Sequence, residues 1–111
     1  MNIPNSPNSI LIKVQNFQFR SLIDTGAAVS LLNANVYEGL KYKPVLKKTN
    51  VALQSANGTS IKVLGAIELE FKVAGIKLKQ DFVVVSNLNR SVLLGRDFLV
   101  KNKVRILMDL S

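Results

Sequence analysis

With 111 residues, 48% of them hydrophobic, the chain has apolar material for one domain with one core, and its composition is not that of a disordered segment. Cysteine and histidine are both absent, which excludes disulfides, Cys/His metal sites and any catalytic dyad or triad built on Cys or His, and leaves acid–base chemistry to Asp, Glu, Lys or Tyr. The formal net charge of +8 falls wholly in residues 41–111, because residues 1–40 are neutral; the lysines are scattered and mostly alternate with apolar residues, so they read as a solvated surface before they read as a nucleic-acid face.

In chain order, residues 1–9 are rich in Asn, Ser and Pro and read as a flexible N-terminal arm, with a single domain over 10–111. Ile10, Ile12 and Val14 alternate, then Phe17 and Phe19 follow a turn near Gln15-Asn16, which predicts a hairpin. Its second strand ends at Leu22-Ile23, against Asp24-Thr25-Gly26. Residues 30–40 are mixed, a strand followed by a turn or short helix. Val51, Leu53 and Ser55 alternate ahead of Asn57-Gly58, the strongest short hairpin signal in the chain. The series Ile61, Val63, Gly65, Ile67, Leu69, Phe71 predicts one long strand, and Ile76, Leu78 and Phe82–Val85 predict further strands around a turn at Gly75. Val92–Leu94 reads as a short buried strand, Gly95-Arg96-Asp97 as the start of a helix through Lys101, and Val104–Asp109 as a last strand. Together these elements make a mainly-β barrel or sandwich with one late helix. The sequence shows neither a leader segment nor an apolar run near the ~20 residues of a membrane span, which supports a soluble, intracellular protein.

One constellation carries chemistry. Asp24-Thr25-Gly26-Ala27 follows the apolar pair Leu22-Ile23. A carboxylate in an apolar neighbourhood is costly unless it is hydrogen-bonded or functional. Gly26 permits close backbone approach, and the Thr25 hydroxyl can tie the loop down. Alone, the tripeptide is an ordinary turn. Two further signals accompany it: the Asn57-Gly58 hairpin, and Leu93-Leu94-Gly95-Arg96-Asp97-Phe98-Leu99 downstream.

In these three segments the chain resembles the retropepsins, the aspartic proteases of retroviruses and LTR retrotransposons, over about residues 10–110. The resemblance implies a small closed β-barrel with one short C-terminal helix, forming half of a two-fold symmetric dimer. It implies that Asp24 is the catalytic aspartate, with Thr25 and Gly26 supporting the active-site loop. Substrate would be bound by Leu22, Gly26, Ala27, Ala28 and Leu93, and by a flap tip at Ala56, Asn57, Gly58 and Thr59. No metal or cofactor is implied. The partners are a second copy of the chain and a peptide or polyprotein substrate, with neither membrane nor nucleic acid expected for this domain. The resemblance implies a cytoplasmic setting, with virus-like particles as an alternative one.

Physical argument agrees with this mechanism. Two carboxylates about 3 Å apart share one proton, as in the aspartic proteases themselves. The ionised member deprotonates a water, and the protonated member polarises the scissile carbonyl. Asp81, Asp97 and Asp109 lack a Thr/Ser-Gly context, so the second aspartate must come from a second chain. Ala28 departs from the many retroviral members that have Asp there, paired with the arginine matching Arg96; here Arg96 must find another acceptor, such as a backbone carbonyl. Two other readings stand beside the protease: a catalytically inactive retropepsin-fold module for dimerisation or peptide binding, and a small basic β-domain that binds nucleic acid.

Overall fold

A computed structural model of the chain describes residues 9–54, 58 and 60–102. Strands β1 (Ser9–Val14) and β2 (Phe17–Ile23) form the first hairpin, with Ile12 opposite Phe19 and Val14 opposite Phe17. Ser9 pairs with Leu22, so the arm read over residues 1–9 gives up its last residue to the sheet. The rest of the arm lies outside the described residues. The turn residue Gln15 has a positive φ of 55°. Its side chain accepts from Lys41 N at 2.9 Å and donates to the Tyr42 carbonyl at 2.9 Å, tying the turn to the segment beyond the first helix.

The mixed stretch resolves into β3 (Leu31–Asn33) and a short helix, α1 (Ala34–Gly39). Asn33 caps that helix, its side chain accepting from Asn35 N at 2.9 Å. The long alternating series is not one strand. It breaks at Lys62 into β5 (Ser60–Ile61), which pairs with β4 (Leu53–Gln54) in a separate two-stranded sheet, and β6 (Val63–Val73). A register irregularity between Val63 and Gly65 marks the change of sheet. Beyond the turn at Ala74-Gly75, both at positive φ, the segments expected as separate strands form one, β7 (Ile76–Val85). The turn is the type that continues the strands' right-handed twist. β8 (Val92–Leu94) and α2 (96–102) follow. The strand expected over 104–109 lies outside the described residues.

β1, β2, β8, β3, β7 and β6 close into a barrel in that order. β2–β8 and β3–β7 are parallel, and β3–β8 is antiparallel. Ile12, Leu32, Ile67, Leu69, Phe82, Val84, Leu94 and Phe98 fill its interior, with Phe71 packed against Phe82 and Phe98 at ring distances of 5.8 and 5.9 Å. The strand period of two then sends their neighbours outward. Leu31, Val83, Val85 and Leu93 are also buried, but in a second apolar cluster on the opposite face. That is why Phe82–Val85 reads as an unbroken apolar run: both faces of the strand are covered. Leu31 and Leu93 of the second cluster line a surface cleft. No helix among the described residues is long and apolar enough to cross a membrane.

Candidate active site

Asp24 stands where β2 leaves the barrel. Its N–H donates to the Leu94 carbonyl at 2.9 Å, extending the parallel β2–β8 pairing by one residue. The chain then turns sharply. Ala27 N donates to the Asp24 carbonyl at 3.1 Å, and Gly26 N donates to Asp24 Oδ1 at 2.8 Å. A Cβ at Gly26 would lie 3.2 Å from that same carboxylate oxygen, so the glycine leaves the carboxylate room. Gly26 N is the one hydrogen-bond donor to the Asp24 side chain among the described residues. The carboxylate is half-buried and opens into a cleft of about 890 Å³.

The loop is held from beneath by the start of α2. Arg96 N donates to the Ala27 carbonyl at 2.8 Å and Asp97 N to the Ala28 carbonyl at 3.3 Å. The Arg96 guanidinium donates to the Thr25 carbonyl at 2.8 Å. Arg96 thus has the backbone acceptor that an alanine at position 28 demanded. Arg96→Ala is expected to lower stability by about 1 kcal/mol, the bond being largely solvent-exposed, and to slow peptide cleavage by loosening the loop around Asp24. Thermal melts and kinetics check this; unchanged self-association and cleavage would exclude the role.

The far end of the loop is fixed by a buried polar network. Asp97 accepts from Ser30 Oγ at 2.7 Å, Ser30 N at 3.2 Å and Gln80 Nε2 at 3.0 Å, while Ser30 Oγ accepts from Gly95 N at 3.0 Å. Ser30 and Gln80 are buried, so each bond also removes the cost of an unpaired interior group. Sequence reasoning placed Asp97 at a helix start and missed this role. The available signal was Gln80, a polar residue in step with Leu78 and Phe82 on the buried face of β7.

Five sequence-named residues meet at the cleft: Asp24, Gly26, Ala27, Ala28 and Leu93. Thr25 is exposed at the loop tip. Leu22 is instead packed against the second apolar cluster, beneath the cleft. Gly58 is exposed, with φ of 85°, and Ala56, Asn57 and Thr59 lie outside the described residues. Sequence reasoning did not name the other apolar lining: Val29, Leu31, Val51, Leu53, Ile61 and Leu88. Val51, Leu53 and Ile61 belong to the β4–β5 hairpin and the segment leading into it, so one wall of the cleft is the small separate sheet. Among the described residues no group of three or more acidic side chains gathers into a metal site.

An Asp-Thr-Gly loop on a closed six-stranded barrel is braced here by a Gly-Arg-Asp helix start. The family described as "gag-polyprotein putative aspartyl protease" matches residues 10–101. The chain belongs to this family of retroviral-type aspartyl proteases. Solved structures show the same fold. The EIAV protease, complexed with the inhibitor HBY-793, superimposes with a TM-score of 0.73 at 20% identity, covering 93% of this chain and 95% of that one. The retroviral protease-like domain of Ddi1 from Leishmania major gives 0.64 at 18% identity, over 86% and 74%. Within the retropepsin fold, the cleft of this chain carries one carboxylate among its described lining residues, that of Asp24.

Proposed function

We propose that the protein is a homodimeric aspartic endopeptidase, and that its substrate is an extended segment of a retroelement or viral polyprotein. The observation that carries this reading is the Asp24 carboxylate itself. It opens into an apolar cleft, has a single hydrogen-bond donor among the described residues, and sits on a loop clamped at both ends. A carboxylate left this free in a site this constrained is suited to water and to a substrate carbonyl rather than to holding the fold.

One carboxylate cannot serve as both base and acid in the same step. A two-fold axis through the loop supplies the second, bringing Asp24 opposite Asp24 of a second copy. The exposed Thr25 hydroxyl, with no hydrogen bond to any described residue, is placed to meet its counterpart. The ionised Asp24 takes a proton from water as that water attacks the scissile carbonyl carbon. The protonated Asp24 donates to the carbonyl oxygen, and a proton then passes to the leaving amine as the C–N bond breaks. The peptide lies extended between the loop and the β4–β5 hairpin, whose tip acts as the flap, and its apolar side chains fill the space lined by Val29, Leu31, Leu53, Ile61 and Leu93.

Sedimentation alongside cleavage of an apolar peptide tests this reading. The expected result is a dimer whose specific activity falls on dilution, in step with its dissociation. A monomer that remains active overturns the shared-dyad mechanism, and a dimer that binds but never cleaves peptides leaves the inactive-module reading in its place.

A further inference from the structure

The charge of +8 is not spread evenly over the fold. The cleft is built from residues 24–31, 51–54, 61, 88, 89 and 93. Beyond Asp24 itself, the sequence segments that contain them, 25–37, 39–67 and 82–96, hold no Asp or Glu at all. The same segments carry Lys41, Lys43, Lys47, Lys48, Lys62, Arg90 and Arg96, each of them exposed.

The acidic side chains lie elsewhere. Glu68, Glu70 and Asp81 are on the exposed face of β6 and β7, where Glu68 stands opposite Asp81 and Glu70 pairs with Lys77 at 3.6 Å. Glu38 is on α1. Asp97 is occupied by Ser30 and Gln80. Among the described residues, none of the cations beside the cleft forms an ion pair with a carboxylate. Arg90 directly follows the lining residue Asn89, Lys62 directly follows Ile61, and Arg96 reaches the carbonyl next to Asp24. Adjacent Cα atoms are about 3.8 Å apart, within the Debye length of about 8 Å at physiological salt.

We propose that the site selects peptides whose apolar segment is flanked by acidic residues, drawn in by the cations at the cleft rim. This rests on the protease reading above. A two-fold dimer repeats Lys62 and Arg90 in both halves of the cleft, so acidic residues count on either side of the cut. The apolar floor sets which residues enter the cleft, and the rim sets which chains arrive and stay. A rim of this kind acts on capture, so its effect falls in KM and fades with salt.

Three peptides with one shared apolar core and acidic, neutral or basic flanks test the proposal. At about 50 mM salt the acidic peptide is expected to be cleaved with a kcat/KM about tenfold above the basic one, carried in KM, narrowing to about twofold at 500 mM. The double variant Lys62→Gln with Arg90→Gln is expected to shrink the low-salt gap to about threefold, leaving the neutral peptide's kcat unchanged. Equal rates across the three peptides, or preference for the basic one, overturn the proposal.

Binding of the same labelled peptides to Asp24→Asn protein, followed by fluorescence anisotropy, separates this result from the protease reading. If no peptide is cleaved but the acidic one binds most tightly in a salt-dependent way, the rim stands and the catalytic assignment fails. If no charge preference appears there either, both fail. Tighter binding of a single-stranded oligonucleotide that displaces the acidic peptide makes the rim a nucleic-acid surface, and overturns the proposal.

Discussion

Asp24→Asn is expected to abolish peptide cleavage while leaving the fold and self-association intact. Asparagine keeps the size of the side chain and an oxygen that can accept from Gly26 N, the bond that Asp24 makes at 2.8 Å. The backbone bond from residue 24 to the Leu94 carbonyl does not depend on the side chain. The proposed acceptor for a proton from water would be lost, and no other carboxylate stands among the described lining residues of the cleft. The fall in kcat is expected to reach about ten-thousandfold or more, the scale seen when a central acid–base group is removed.

Mixing sharpens the test. Equal amounts of wild-type and Asp24→Asn chains, allowed to exchange, are expected to retain about a quarter of the fully wild-type activity, because random pairing makes that fraction of dimers wild-type on both sides. Retention of about half points to chains that act alone. Cleavage that survives in pure Asp24→Asn protein removes the aspartic mechanism.

The second large effect concerns stability. A Cβ at Gly95 would lie 2.6 Å from the Val29 carbonyl oxygen and 2.8 Å from the Ala27 carbonyl oxygen and the Val29 carbonyl carbon. All three are backbone atoms, so no side-chain rotation relieves the contact. Either α2 or the 27–29 segment must move, and the bonds from Arg96 N to the Ala27 carbonyl and from Gly95 N to Ser30 Oγ are then strained or lost. Gly95→Ala is expected to cost about 2–4 kcal/mol, a fall in Tm of roughly 10–20 °C for a domain of this size. Cleavage is expected to fall further than the folded fraction, because Ala27 of the displaced segment is hydrogen-bonded to the Asp24 carbonyl. Gly39→Ala is the control: nothing lies within 4 Å of the position where its Cβ would stand. Equal melting of the two variants would falsify the packing argument.

The hairpin over β1 and β2, strand β8 and helix α2 were all legible from local pattern, because each has a clear alternation or a breaker at its end. The long series from Ile61 to Phe71 misled for a physical reason. Alternation reports which residues face an apolar layer, not which layer. Ile61 faces the cleft cluster and Ile67 the barrel interior, and the period of two runs unbroken across the change of sheet. Phe82–Val85 hid the opposite fact, that a single strand buries both faces.

Local sequence determined the Asp24-Thr25-Gly26 turn and the absence of Cys and His chemistry, and it raised the expectation of a second carboxylate from another chain. A turn is made by residues that are neighbours along the backbone, so its chemistry can be read there. Only the tertiary structure decided what holds that turn in place. Arg96 reaches Thr25 across 71 positions, and Asp97 reaches Ser30 across 67. Partners this far apart carry no mark of one another in a single sequence, because their meeting depends on β2, β3 and β8 closing side by side in the barrel. The same closure gathers three segments that hold no Asp or Glu beyond Asp24 around one cleft.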